Sequence, residues 1–301
     1  MELRDIEVFL TLAEELHFGR AAARLHVSQA RVSQAISAQE RRIGNRLFDR
    51  SNRRRISLTP LGRQLRDDLH PVYVGLRVSL ERARLAAQGV TAVLRVGMLP
   101  VNAHDLRAYW ETFRSRHPQW RLRIQHAPFD DPFAGLRRGD VDVLVTWLPV
   151  EEPDLTVGPT LIAEPRVLAV AAGHELTRHT SISLEMVSHH RLPTSASVPG
   201  YWFDAYTPPY TRKGRALDRS VPVRNNEEVL ALISSGELVT PYPVHMVRYG
   251  SRPDITYLPI LDMDPLPYAA VWHSGSENDL IRALARVIRD LGQHPGTDSF
   301  G

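Results

Sequence analysis

The chain of 301 residues contains no cysteine and a single lysine, Lys213. Without thiols there are no disulfides, thiolate zinc sites, iron-sulfur clusters or cysteine nucleophiles. One lysine leaves little scope for Schiff-base chemistry, and no G-x-G-x-x-G, phosphate-loop lysine or G-x-S-x-G motif occurs. No run approaches the ~18 uninterrupted apolar residues of a membrane span. The opening MELRDIEVFLTLAEELHFGR scatters charges through its apolar residues, unlike a secretory signal. These absences predict a cytoplasmic protein with no membrane partner. Thirteen histidines are present, but His189 and His190 are adjacent, and His174 and His179 lack a third partner at ligand spacing. No metal and no cofactor is expected. No set of acid, base and nucleophile emerges from motifs, so an enzyme is disfavoured.

What is present has the size of two domains and an ordinary globular composition, 43% apolar and 24% charged. The net charge of +3 is unevenly distributed. Residues 1–90 carry 16 arginines against 10 acids, and the remainder is net acidic by three. Seven arginines fall within residues 41–55, with Asp49 the one acid among them. A basic first third joined to a slightly acidic remainder points to a polyanion as the partner of the first domain alone.

Leu3, Ile6, Leu10, Ala13 and Leu16 recur at three- and four-residue steps and predict an amphipathic helix. RAAARL predicts a short second helix of high propensity. Ser28 is suited to cap a third, QARVSQAISAQERRIG, with Val32, Ile36 and Ile43 inward and Gly44 as its stop. Two short helices across a tight turn form a helix-turn-helix pattern. The second exposes Gln29, Arg31, Ser33, Gln34 and Ser37, and near the start of a groove-entering helix Arg can fork onto guanine and Gln onto adenine. The alternative is a polar face that merely meets solvent.

RLFDRSNRRRISLTPLGRQL narrows that choice. Leu47 and Phe48 read as anchors, Ser51-Asn52 as a turn, and Ile56 and Leu58 as an alternating strand, which together make a wing. Arg53, Arg54 and Arg55 would then lie against phosphates or in a narrow minor groove. Thr59-Pro60 starts a further helix, marked by Leu61, Leu65, Leu69, Val72, Leu76, Leu80 and Leu85. Pro71 should kink or interrupt it.

ELHFGRAAARLHVSQ, the pair Ser28 and Ser33, and RLFDR followed by RRRISLTPLG resemble the winged helix-turn-helix of LysR-type transcriptional regulators. The resemblance implies double-stranded DNA as partner, a homodimer or homotetramer, and the Leu61 to Leu85 stripe as the seam between subunits. It implies a DNA-binding set of Ser28, Gln29, Ala30, Arg31, Ser33, Gln34, Ser37, Arg50, Arg53, Arg54 and Arg55. Three positions depart from the usual pattern: Ala30 stands for proline, Gln34 for arginine, and Gln39 for a core leucine.

From Val93 onward short apolar runs alternate with helical patterns, the rhythm of an α/β domain with a largely parallel sheet. This part resembles the family's effector-binding region, two α/β subdomains like those of periplasmic solute-binding proteins. The expected organisation is a DNA-binding domain over 1–58, a linker and dimerisation helix over 59–89, and an effector-binding domain over 90–301. Within the last, one subdomain would comprise roughly 90–162 plus 268–301 and the other 163–267. In such folds ligands lie beyond the carboxyl ends of strands. That rule selects Leu99, Pro100, Val101, Asn102, Thr146, Trp147, Ser195, Val198, Pro199 and Thr240 for a small-molecule effector, with the turns at 100–102 and 195–199 facing each other. Pro100 and Val101 stand where many family members offer serine or threonine. Tyr201, Trp202 and Phe203 either line that pocket or pack over the subdomain edge, with packing favoured. A transport solute-binding protein would share this second part but leave residues 1–65 unexplained.

Overall fold

The computed structural model describes residues 2–50, 56–87 and 89–294. The chain divides into two units, Met1–Gly89 and Val90–Gly301.

The first unit begins with α1 (Leu3–Glu15), α2 (Phe18–Arg24) and α3 (Gln29–Ile43). Each start is capped in its own way. Glu2 and Asp5 form a reciprocal capping box on α1. His17 Nδ1 accepts from Arg20 N on α2 at 3.2 Å, and Ser28 Oγ accepts from Arg31 N on α3 at 3.2 Å. Gly44 ends α3 at φ +85°, where a side chain would be strained. Phe9 and Leu12 of α1 meet Val32, Ile36, Leu47 and Phe48 in one apolar core. The last turn of α3 departs from the sequence expectation. Ile43 faces solvent at 39% exposure while Gln39 is buried at 4%. Gln39 occupies that core position because its Nε2 donates to the carbonyl of Asp5 at 2.9 Å.

β1 (Phe48–Asp49) and β2 (Ser57–Leu58) pair antiparallel and form the base of the wing. Residues 51–55, with Arg53, Arg54 and Arg55, lie outside the described residues. α4 (Pro60–Ala86) follows, with Thr59 Oγ1 accepting from Gly62 N at 3.0 Å and donating to the carbonyl of Arg46 at 2.9 Å. Of the kink or interruption expected at Pro71, the interruption does not occur: α4 continues through it. Leu69 and Tyr73, on either side of the proline, pack against the core and hold the helix in place. The expected seam is also divided. Leu61, Leu65 and Leu69 pack into their own unit, whereas Val72, Leu76 and Leu80 stand exposed, Leu80 by 57%.

The second unit contains a five-stranded sheet of β3 (Ala92–Met98), β4 (Trp120–His126), β5 (Val143–Trp147), β6 (Leu155–Glu164) and β12 (Leu266–His273), in the order β4-β3-β5-β12-β6. β3 pairs parallel with β4 and β5, and β12 pairs antiparallel with β5 and β6. The sheet is therefore mixed, not largely parallel. α5 (Arg107–Arg116) and α11 (Asp279–Leu291) pack together on it. Gly158-Pro159 interrupts the apolar pattern of β6, so residues 155–164 do not read as a strand from sequence. Gly158 is there because a Cβ would stand 2.2 Å from the ring of Trp272.

The chain leaves this sheet at Pro165 and enters a second one. There β7 (Arg166–Ala171) lies between β10 (Thr240–Pro243) and β11 (Ile255–Pro259), antiparallel to both, while β8 (Arg191–Thr194) and β9 (Asp218–Pro222) form a separate parallel pair. Short helices complete the unit: α6 (Ala134–Arg137), α7 (Leu184–Val187), α8 (Gly200–Tyr206), α9 (Asn226–Ser234) and α10 (Met246–Tyr249). Among the described residues no helix is long and apolar enough to cross a membrane.

Candidate functional site

The start of α3 forms a polar face on a rigid support. Val32 and Ile36 fix the helix to the core, which turns Gln29, Ala30, Arg31 and Gln34 to solvent and leaves Ser33 and Ser37 half-buried. Among the described residues the side chains of Gln29, Arg31 and Gln34 make no hydrogen bond or ion pair. Ser28 is engaged as the cap of α3. Arg50 is engaged within the protein. Its guanidinium pairs with Glu40 at 3.0 Å and lies 5.2 Å from the centre of the Phe18 ring. Glu40 also accepts from the amides of Leu47 and Phe48 at 3.0 and 3.2 Å. Arg50 thus braces the base of the wing against α3. Sequence spacing alone gives no hint of this, because the partner lies ten residues upstream on a helix.

In the second unit a cavity of about 470 Å3 opens between the two sheets. Leu99, Pro100, Val101, Trp147 and Thr240 line it, as expected. The other sequence-selected residues do not. Asn102 is buried beneath the first-strand turn, its Nδ2 donating to Glu164 Oε1 at 3.4 Å. Thr146 is buried and accepts from Trp202 Nε1 at 3.2 Å. Val198 belongs to the apolar core, and Ser195 shares a 3.0 Å hydrogen bond with Ser197 away from the cavity, so the turns at 100–102 and 195–199 do not face each other across it. The rule misses at this turn, although Pro193 of β8 itself and Val223 to Glu227 after β9, the other strand of its pair, do line the cavity.

The residues that replace them come from α8, β10, the chain after β4 and the turn from β9 into α9. Trp202 stacks on Trp147 with ring centres 3.7 Å apart, which fixes α8 beside the first sheet. The aromatic stretch therefore both packs and lines: Trp202 is core, while Phe203, Tyr206 and Thr207 face the cavity. Period-two alternation along β10 brings Thr240 and Tyr242 to the same wall. The hydroxyls of Thr207 and Thr240 are buried and find no partner among the described residues. Burial pushes the hydroxyls of Tyr206, Tyr242 and Tyr268 well above the ordinary tyrosine range, so all three stay neutral.

Beneath the cavity lies a buried polar cluster. Glu164, the last residue of β6, meets Nδ1 of His245, and both side chains are almost fully buried. Arg166 opens β7 two residues later. It donates to the carbonyls of Ala205 and Tyr206 at 3.4 and 2.5 Å, and burial holds its pKa below the usual arginine range while neighbouring Glu164 raises it. Arg248 and Tyr249 of α10 reach Asp105 at 2.6 and 3.0 Å, a second tie between the subdomains. Among the described residues no cluster of three metal-ligating side chains occurs.

Two family models match this chain. One, described as "Bacterial regulatory helix-turn-helix protein, lysR family", covers residues 3–63, and one described as "LysR substrate binding domain" covers residues 87–293. Escherichia coli YnfL, an uncharacterized HTH-type transcriptional regulator, is 33% identical over 190 residues, 61% of this chain and 62% of its own length. AlsR of Bacillus subtilis, an HTH-type transcriptional regulator, is 28% identical over 295 residues, 95% of each chain. The crystal structure of CbnR, a LysR family transcriptional regulator, superposes with a TM-score of 0.69 at 20% identity over 98% of this chain and all of that one, and CbnR with its target DNA gives 0.66.

Proposed function

The chain belongs to the LysR family of transcriptional regulators, and from that premise we propose that its first unit reads double-stranded operator DNA through the exposed start of α3 while its second unit senses a small molecule in the cavity between the sheets. The observation that carries the DNA half is the row Gln29, Arg31 and Gln34, unpaired among the described residues and presented by a capped helix pinned to a core. Arg53, Arg54 and Arg55, outside the described residues, are assigned phosphate or minor-groove contacts from their place in the sequence. The protein works in the cytoplasm, as a homodimer or homotetramer, and ligand binding shifts the two subdomains of the second unit to change how paired DNA-binding units engage an operator.

Two measurements test the reading. Arg31→Ala and Gln34→Ala should each reduce discrimination among operator variants by roughly 1–3 kcal/mol at one base pair per half-site, with little loss on random DNA. Equal losses on operator and random DNA would make these side chains phosphate contacts and sink the docking. Leu76→Glu combined with Leu80→Glu should dissociate the assembly in sedimentation equilibrium. Each leucine contributes ~1.5–3 kcal/mol when buried against a partner, and both are exposed within their own unit, so the unit's own melting should not move. An unchanged mass would place the subunit contact elsewhere.

A further inference from the structure

We infer that the cavity between the two sheets takes an uncharged aromatic compound bearing one hydroxyl, amide or carbonyl group. This rests on the proposed reading of the cavity as the ligand site, and it names the ligand's class. Six aromatic side chains, Phe129, Trp147, Phe203, Tyr206, Tyr242 and Tyr268, line the wall, and such rings pack best against another ring in offset or edge-on contact.

The polar requirement comes from Thr207 and Thr240. Both hydroxyls are buried and, among the described residues, unpartnered; both residues line the same cavity, and rotation about χ1 is what would turn either hydroxyl into it. A threonine hydroxyl donates and accepts, so a neutral polar group satisfies it fully. A buried hydroxyl left unpaired is costly, which is why the ligand should carry such a group and not be a bare hydrocarbon.

The exclusion of charge comes from where the ionic groups sit. His126, Asp130, Arg224 and Glu227 line the cavity at exposed positions on its rim, where a charge pair in water contributes little. Inside, His245 already faces Glu164, and Arg166, which does not line the cavity, is turned to the carbonyls of Ala205 and Tyr206. The start of α9 reaches the cavity at Asn226, but Asn225 caps it and its first turn carries Glu227 and Glu228, which offset the helix dipole. A carboxylate entering this space would lose its hydration and meet no buried basic group that is not already engaged by a protein partner, since His245 in the wall faces Glu164. Pro100 and Val101 add no donor side chain at the first-strand turn.

The test uses the full-length protein and three probes of matched size: benzamide, benzoate and cyclohexanecarboxamide, titrated by calorimetry or ligand-observed NMR at neutral pH. Benzamide should bind saturably, and benzoate and cyclohexanecarboxamide should each bind at least tenfold more weakly. Thr240→Val should weaken benzamide by tenfold or more while leaving the ligand-free melting temperature unchanged or raised, since it removes a hydroxyl that has no partner. Val101→Trp, which fills the cavity mouth from an exposed position, should block binding. Benzoate binding as tightly as benzamide, or no saturable binding by benzamide, overturns the class. If benzoate binds tightly and Val101→Trp blocks it, the class fails while the cavity remains the ligand site. If binding ignores both Thr240→Val and Val101→Trp, the reading of the cavity itself fails and the class falls with it.

Discussion

Glu164→Ala is expected to destabilise the second unit by about 3–5 kcal/mol, the combined effect of leaving buried hydrogen-bonding groups unsatisfied at about 1–3 kcal/mol each. The carboxylate holds three groups at the crossover between the sheets: it meets His245 from the second subdomain, accepts from Asn102 of the first, and lies close enough to raise the pKa of Arg166. Without it, His245 and Asn102 lose their partner inside the protein and Arg166 loses its nearby compensating charge. For a unit of this size ~1 kcal/mol moves the midpoint by roughly 2–4 °C, so calorimetry should show a fall of about 6–20 °C. Glu164→Gln keeps the shape and one hydrogen-bond acceptor and should lose less. A fall under about 1 kcal/mol for Glu164→Ala would mean that the pair is only a contact and contributes no stability. Because Asn102 and His245 come from opposite subdomains, the same substitution should also loosen whatever motion a ligand in the cavity controls, seen as faster hydrogen exchange at Pro165-adjacent amides of β6 and β7.

The part of this molecule that reads most directly from its residues is the part governed by local rules. Ser28 as cap, Val32 and Ile36 as the inner face, Gly44 as stop and Gln29, Arg31 and Gln34 as the outer face all follow from helical period and capping chemistry, which need no distant partner. Gln39 and Ile43 exchange roles because the acceptor for Gln39, the carbonyl of Asp5, is 34 residues away. Arg50 looks like one more basic residue of a wing until Glu40 is placed beside it. The same limit acts more strongly in the second unit. β12 enters the first sheet from the far end of the chain and runs antiparallel, so the order β4-β3-β5-β12-β6 cannot be read from strand spacing. The crevice rule finds Leu99, Pro100, Val101 and Trp147, at or just beyond the ends of strands of the five-stranded sheet, and it fails at Ser195 and Pro199, although Pro193 of the same strand and the residues after β9 line the cavity. Thr207 and Tyr242 carry a faint signal in the aromatic stretch after Pro199 and in the alternation along β10, whereas His245, beyond the end of β10, carries none. Only the stacking of Trp202 on Trp147 decides that α8 closes the cavity.

The second large effect is expected at Gly62, in the first turn of α4. A Cβ there would stand 2.1 Å from the carbonyl oxygen of Leu47 and 3.1 Å from the side chain of Leu58. The neighbour that would have to move is backbone. Leu47 is fully buried, its carbonyl accepts from the amide of Thr59 at 3.0 Å, and its amide is held by Glu40. Overpacking usually costs about 1–3 kcal/mol and occasionally more; with no flexible side chain to yield, Gly62→Ala belongs at or above the top of that range. The strain falls on the joint between α4 and the wing, so operator binding should drop along with the melting of the first unit, while ligand binding by the second unit should be retained. Gly75 provides the internal control. It lies in the same helix, exposed, with nothing within 4 Å of its Cβ position. Gly75→Ala should therefore stabilise the helix by about 0.8–1 kcal/mol through propensity alone. Two alanines in one helix would then shift stability in opposite directions, which composition and periodicity cannot account for but the closeness of the Leu47 carbonyl can. If Gly62→Ala melts like the unsubstituted protein, α4 can back away from the wing cheaply, and the wing is not held by the contact described here.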